Sequence, residues 1–181
     1  MTTPSSPKQV NVSESERKFL VNEFRRTKAW ERELLILQWY EADSDALVES
    51  KVKCVLDLAR ISQTWVRVRK HRQDFQRADK TITYLDATQV QLKSLLGLPF
   101  VMKRRSIHQQ LHLDHFLISN GQCTWLLEDE QNNVLEKELE NLGIRLGDEV
   151  TENLAYRNLS MACTFDLEQL SVTQYFLKAF R

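Results

Sequence analysis

The stretch LLILQWY, residues 34–40, decides the fold prediction because it is apolar almost all round and must be covered on several sides. It lies within residues 8–96, where 89 consecutive positions lack both glycine and proline, the strongest breakers of regular structure. The whole chain of 181 residues has four glycines and three prolines. Such a composition favours helix. We therefore predict a first helix over residues 13–41 that ends with this stretch.

Local signals around this stretch predict a helical hairpin. Ser13 and Glu16 have the spacing of a capping box that would begin the first helix. The turn-like cluster at residues 43–45 follows the apolar stretch, and apolar residues then recur at helical spacing through a second predicted helix. The simplest packing is antiparallel, with residues 34–40 against residues 47–61.

In the second half of the chain the spacing of apolar residues changes from that of a helix to the alternation of a strand. Asn120-Gly121 separates two alternating segments, which predicts a β-hairpin with a two-residue turn. In that register the two sequence numbers of each cross-strand pair add up to 241. One face of the hairpin is then buried, and it holds Phe116, Ile118, Cys123, Trp125 and Leu127. Capping signals predict short helices over residues 87–96 and 134–142 and a terminal helix after Asp166, whose capping-box partner is Gln169. Residues 159–165 are predicted to form a strand.

These elements predict an α+β fold, with an N-terminal long helical hairpin followed by a small C-terminal unit that contains a β-hairpin and short helices. The domain organisation expected from composition is a disordered polar tail over residues 1–12, the helical hairpin over residues 13–80, and a compact α+β unit over residues 81–181. The apolar fraction of 42% is sufficient for a hydrophobic core.

Charge is divided between the two halves although the net charge is zero. Residues 1–105 contain 20 Lys and Arg against 13 Asp and Glu, whereas residues 106–181 contain 5 against 12. The basic helix arm at residues 60–80 and a second basic cluster could neutralise phosphates of a nucleic acid or contact an acidic protein surface. The candidate contact residues are Arg67, Arg69, Lys70, Arg72, Arg77, Lys103, Arg104 and Arg105.

The leading functional prediction is a non-catalytic protein-protein interaction or assembly subunit. A helical hairpin and a small sheet would not bury all the aromatic side chains, and the remainder would form an interface with a protein partner or a second copy. The expected anchors are Trp30, Trp39, Tyr40 and Trp65. A nucleic-acid-binding regulator that uses the basic arm is the first alternative, and a small enzyme without a legible motif is the second.

No catalytic, metal-binding or cofactor-binding residues are predicted. His108, His112 and His115 would share one face of a helix, but the predicted hairpin places His115 on the face opposite His112. Cys123 lies in a predicted packing environment, and no phosphate-binding loop or dinucleotide-binding turn is present. The sequence therefore predicts neither metal nor cofactor.

Cysteine usage and the N-terminal residues predict the compartment. Cys54, Cys123 and Cys163 are odd in number and widely spaced, which is typical of buried thiols in a reducing environment. The N-terminal residues lack the apolar region of a secretory signal, and residues 34–40 are too short to span a bilayer. We expect a cytoplasmic, intracellular protein that does not enter membranes.

Overall fold

The computed structural model describes residues 8–42, 47–131 and 136–180, and these residues form a large antiparallel sheet with two short α-helices. The strands are β1 (Gln9–Ser15), β2 (Arg17–Phe24), β3 (Arg32–Tyr40), β4 (Val48–Asp57), β5 (Ser62–Arg72), β6 (Arg77–Leu85), β7 (Pro99–His108), β8 (Leu111–Ile118), β9 (Trp125–Asp129), β10 (Ile144–Glu149) and β11 (Cys163–Thr164). The helices are α1 (Glu136–Leu142) and α2 (Leu167–Lys178), and three 3-10 turns cover Ala87–Gln89, Leu92–Leu95 and Leu154–Tyr156. No helix of the described residues is long and apolar enough to span a membrane.

The predicted N-terminal helical hairpin is wrong, and with it the α+β fold class, because β3 to β6 occupy that segment. The absence of glycine and proline removes breakers but does not select helix, and the alternating valines of β5 favour a strand. The predicted neighbours do pair, since Leu37 lies opposite Cys54 in the antiparallel register of β3 and β4. Residues 34–40 are apolar except for Gln38 because both faces of β3 are buried.

The predicted start of the first helix is also a strand. Ser13 lies in β1 and Glu16 joins β1 to β2, so the capping-box spacing has no helix to cap. Residues 9–12 of the predicted disordered tail belong to β1, whereas residues 1–7 lie outside the described residues. The predicted turn at residues 43–45 falls on the connection between β3 and β4, and it too lies outside the described residues.

The sheet closes on itself through the segment Gln9–Phe24. β1 pairs with β6 at one end of the strand order. Glu16 alone separates β1 from β2, and β2 pairs with β9 on one side and with the terminal strand β10 on the other. The closed sheet therefore runs from β1 and β2 through β6, β5, β4, β3, β7, β8 and β9 back to β2. Successive side chains in each strand point alternately into the enclosed space and outward.

The main hydrophobic core lies outside this closed sheet. Trp39, Cys54 and Phe100 project from the outer face and pack with Leu170 and Leu177 of α2. The capping box predicted for this helix is confirmed, since Asp166 accepts from the backbone N–H groups at the first turn and Gln169 closes the box. Helix α2 thus covers apolar surface that the sheet turns outward.

The remaining predicted elements differ from the observed ones in their length or type. Helix α1 (Glu136–Leu142) confirms the described part of the helix predicted at 134–142. Residues 87–96 form two 3-10 turns instead of one helix, although Asp86 does cap the first of them. The strand predicted at 159–165 is reduced to β11 (Cys163–Thr164), which pairs with β7.

The predicted β-hairpin exists as β8 and β9, but its register differs by one residue. The connection contains six residues. His115 lies opposite Trp125, so the two sequence numbers of each pair add up to 240 and not 241. A one-residue slip moves a strand's side chains to the other face. Phe116 consequently packs in an apolar cluster inside the closed sheet, whereas Trp125 and Leu127 pack in an outer cluster.

The packing of α2 predicts a clear difference between two leucines of the same helix. Leu170→Ala should lower the free energy of unfolding by about 2–5 kcal/mol, because Leu170 is 6% exposed and its removal leaves a cavity in the outer core. The control Leu167→Ala, at a position that is 73% exposed, should change it by no more than about 0.5 kcal/mol. Urea unfolding measures both, and equal losses would contradict the described packing.

Candidate functional site

The space enclosed by the sheet is lined mainly by charged side chains. A cavity of about 110 Å³ lies there, and we call it the cationic cavity. Its charged lining consists of Lys18, Lys51, Lys53, Lys70, Arg72, Lys80, Lys103 and Arg105 with Glu16, Glu49, Glu128 and Glu130. Eight cations thus face four carboxylates. Because buried charges need partners, the excess of cations is the central physical feature of this site.

Strand alternation explains how these charges meet. Lys51 and Lys53 are two residues apart on β4, Lys70 and Arg72 on β5, and Lys103 and Arg105 on β7. Side chains two residues apart lie on the same face of a strand. Closure of the sheet then directs these pairs from separate strands toward one space.

Part of the positive charge is neutralised by buried carboxylates. Arg105 forms a bidentate ion pair with Asp114, in which Nε donates to Oδ1 and Nη2 donates to Oδ2, each at 2.7 Å. Lys103 contacts the same carboxylate and donates to Asn158 Oδ1 at 3.3 Å. Glu14, beside the lining residues, pairs with Lys70 and Lys80. Counting Glu14 and Asp114, the cations still outnumber the carboxylates, by eight to six.

Lys53 is the cation with the least compensation. Within the described residues, no carboxylate lies at ion-pair distance from its Nζ. Burial, followed by the charges of Arg105, Lys51 and Lys103, lowers the pKa of Lys53 to about 7. Lys53 is therefore partly neutral near pH 7 and would be charged more readily beside an anion.

The carboxylates of the cavity stay ionised. Burial acts to raise the pKa of Glu49, but Lys51, Lys70 and Arg72 together lower it to about 2. Burial likewise opposes ionisation of Glu128, yet Arg105 and the neighbouring lysines hold its pKa well below the usual range. These groups keep their negative charge throughout the physiological pH range.

Among the residues that the structure describes, two groups of side chains could ligate a metal ion. The carboxylates of Glu14, Glu16 and Glu130 offer oxygen atoms within 4.8 Å of one another, and His112, Glu128 and Glu130 form a second such group. Glu130 is common to both. Carboxylate oxygens suit Mg²⁺ or Mn²⁺, and a histidine nitrogen is compatible with Mn²⁺. The two groups adjoin the cationic cavity through Glu16, Glu128 and Glu130, which line it.

An uncharged acceptor also faces the cavity. Gln38 lines it and is 3% exposed, and its Oε1 atom has no hydrogen-bond partner among the described residues. A buried acceptor without a donor is costly. Gln38 can accept a hydrogen bond from a water molecule or a protonated ligand oxygen.

The structure divides the predicted basic residues between two faces. Lys70, Arg72, Lys103 and Arg105 line the cationic cavity. The other four, Arg67, Arg69, Arg77 and Arg104, lie outside the cavity lining. Three of these outer residues pair with nearby acids, Arg67 with Glu41, Arg77 with Asp74 and Arg104 with Glu33. The predicted basic arm is thus not one continuous face.

The predicted interface anchors lie in the interior of the described chain. Trp39 and Tyr40 are completely buried, and Trp30 and Trp65 are at most 7% exposed. Trp39 and Trp65 stack with ring centroids 5.8 Å apart. These side chains therefore do not form an exposed patch on this chain.

The three clustered histidines and Cys123 lie in different environments. His112 is beside Glu128 and Glu130, His108 contacts Trp30, and His115 stacks on Trp125 with ring centroids 4.0 Å apart. Burial raises the pKa of the Cys123 thiol to about 11, so it is not an activated nucleophile.

The sequence analysis missed most of the cavity lining, including Lys18, Lys53 and Glu130, and the adjacent Glu14. A usable signal was present, since like charges recur two residues apart, as in ESERK at residues 14–18 and ESKVK at residues 49–53. Repeated pairs of this kind indicate a charged strand face.

Comparison with known proteins adds information on the fold alone. No protein-family model matches the chain, and no curated protein matches it. Its structure is similar to the crystal structure of the hypothetical protein NE1496, with a TM-score of 0.50 and 23% sequence identity. The similarity covers 82% of this chain and 97% of the other. It shows that the two proteins share a fold.

The depressed pKa of Lys53 predicts that Lys53→Met stabilises the protein at pH 7. The charged form of Lys53 is disfavoured in the folded state, and its cost is fully present below pH 7 and fades as pH rises toward 10.5. The melting temperature should therefore rise more at pH 6–7 than at pH 10. In the control Lys18→Met the melting temperature should fall, because Lys18 pairs with Glu16 and Glu128. A loss of stability in Lys53→Met at pH 7 would contradict this electrostatic description.

Proposed function

We propose that this protein binds a linear polyphosphate together with a divalent cation inside the closed sheet and hydrolyses a P–O–P bond of that ligand. The observation that carries the proposal is the cationic cavity, where eight Lys and Arg side chains face one enclosed space beside a group of ionised carboxylates. This arrangement supports a ligand with several negative charges in a row.

A phosphate chain matches the charge of the lining. The cations come from β2, β4, β5, β6 and β7, so they can contact an anion from several sides. Arginine provides paired donors for phosphate oxygens and lysine provides a compact charge. None of the described lining residues is aromatic, whereas proteins that bind single-stranded nucleic acids stack bases on aromatic side chains. The lining therefore favours phosphates without bases in the cavity.

The carboxylates of the cavity are the reason that the proposal includes a divalent cation. Glu16 and Glu128 are ionised and would repel a polyphosphate that entered the same space. Glu14, Glu16 and Glu130, or the group that contains His112, would hold a divalent ion, whose positive charge would offset the repulsion between carboxylates and phosphates. Metal-bridged phosphates combined with surrounding cations are the recurring arrangement of phosphoryl-transfer sites.

The hydrolysis proposed here needs one water molecule for each bond that breaks. The water oxygen bonds to the terminal phosphorus, the bridging P–O bond breaks, and the bridging oxygen leaves with the shorter phosphate chain. The proton of the water leaves with the phosphate products, and Lys53, which is charged more readily beside an anion, stabilises the negative charge that develops on the phosphate oxygens. Gln38 supplies an unpaired acceptor at the same cavity.

The earlier functional hypotheses stay as predictions. Assembly with a protein partner or a second copy would have to use residues other than the buried aromatic anchors. Nucleic-acid binding would depend on Arg67, Arg69 and Arg77, which lie outside the cavity lining.

Tripolyphosphate hydrolysis tests the proposal directly. With sodium tripolyphosphate and Mg²⁺ or Mn²⁺, the purified protein should release orthophosphate, and chelation of the metal by EDTA should abolish the release. Lys53→Met should lower kcat/KM by about 10²–10³-fold, as expected when a group that acts on developing charge is lost, without loss of thermal stability. Colorimetric phosphate assays and melting curves measure both quantities.

Matched variants on the outer surface serve as controls. Lys93→Met and Glu168→Gln, at exposed positions, should keep wild-type rates. Absence of tripolyphosphate binding in calorimetry, with or without metal, would refute the proposal. Tight binding of a single-stranded oligonucleotide that tripolyphosphate does not displace would favour the nucleic-acid alternative instead.

A further inference from the structure

An apolar recess lies next to the cationic cavity. It has a volume of about 260 Å³ and is lined by Leu47, Phe75 and Leu154 together with Arg72, Asp74 and Arg157. The three apolar side chains are 61%, 44% and 49% exposed, respectively, which is unusual for residues of this size. We call this feature the apolar recess.

The recess and the cationic cavity share a wall. Arg72 lines both of them. Two consecutive residues continue this boundary, since Arg157 lines the recess and Asn158 lines the cavity, where it accepts a hydrogen bond from Lys103. A ligand that occupies both spaces would therefore pass Arg72 and the segment at Arg157.

The chemistry of the recess suits a flat aromatic group. The Arg157 guanidinium lies over the Phe75 ring at 5.8 Å from its centroid. Leucine side chains provide apolar contact surface at Leu47 and Leu154. Arginine and phenylalanine both stack on planar rings, and a recess of this size accommodates one ring system.

Two guanidinium groups at the boundary favour an anion between the two spaces. Arg72 and Arg157 both line the recess. Burial, and then repulsion from the charge of Arg72, lowers the pKa of Arg157, whereas Glu49, which pairs with Arg72 at 3.6 Å, acts in the opposite direction. A phosphate group near both would relieve this repulsion. The boundary is thus electrostatically suited to the phosphate nearest the organic part of a ligand.

We infer that the substrate is an organic polyphosphate, an ester whose aromatic group lies in the apolar recess while its phosphates occupy the cationic cavity. The inference rests on the proposed polyphosphate function and adds the class of substrate. Phe75 and Leu154 contact the organic group and determine specificity. Inorganic polyphosphate has no group that uses the recess and is the poorer substrate.

Three probes separate the ring from the phosphates: ATP, methyl triphosphate, which is an ester without a ring, and inorganic tripolyphosphate. For the wild-type protein with Mg²⁺ or Mn²⁺, kcat/KM for ATP should exceed that for methyl triphosphate by about tenfold or more. The double variant Phe75→Ala/Leu154→Ala should lose about tenfold for ATP and stay within about twofold of wild type for the other two probes. Tyr175→Ala, at an exposed aromatic residue of α2, is the matched control and should change none of the three.

The outcomes distinguish this inference from the proposed function. Turnover of tripolyphosphate with equal kcat/KM for ATP and methyl triphosphate would overturn the inference and leave the proposed function intact. An equal loss for all three probes in the double variant would also overturn it, provided that melting curves show a folded protein. If none of the probes binds, the proposed function and the inference fail together.

Discussion

Closure of the sheet by the segment Gln9–Phe24 is the constraint on which the other features depend. The segment pairs with β6 through its first half and with β9 through its second half, and Glu16 lies between the two halves. The backbone groups of β6 and β9 that would otherwise lie at open sheet edges are hydrogen-bonded in this way. Closure also defines an inside, so every second side chain of the surrounding strands is forced toward one space. Without it, Lys53 and Glu128 would lie on an open sheet face with no common neighbour.

The closed sheet reverses the usual distribution of polarity. Its inner face carries the charges, and its outer face carries Trp39, Phe100 and the other residues of the main core. An outward apolar face needs a cover, which α2 and the 3-10 turns provide through Leu95, Leu170 and Leu177. One end of the interior is apolar as well, where Tyr40, Phe116 and Leu126 pack together. The outer packing therefore stabilises a fold whose centre is electrostatically unfavourable.

The unfavourable centre is the strongest physical indication of function. A cavity with more cations than carboxylates and a lysine whose pKa falls to about 7 costs stability in the free protein. Sites of this kind persist where a ligand supplies the missing charge. A shared fold with NE1496 does not identify that ligand, because one fold supports many functions. The chemistry of the lining is therefore the basis for the proposed polyphosphate, and the adjoining Phe75 is the basis for an organic group.

The sequence by itself determined the local features that depend on a few neighbouring residues. The capping box at Asp166 and Gln169, the short helix ending before Gly143, and the antiparallel neighbourhood of residues 34–40 could all be predicted, because caps, glycine turns and apolar runs act over short distances. Helix was nevertheless assigned to residues 13–78, since a segment without breakers permits either helix or strand. Pairing with neighbouring strands in the sheet decided for strand. The hairpin register shows the same limit, because a slip of one residue at Trp125 exchanged the faces of β9. Only the tertiary structure brought Glu14, Lys53, Lys103 and Glu130 around one cavity, since residues far apart in sequence become neighbours only when the sheet closes.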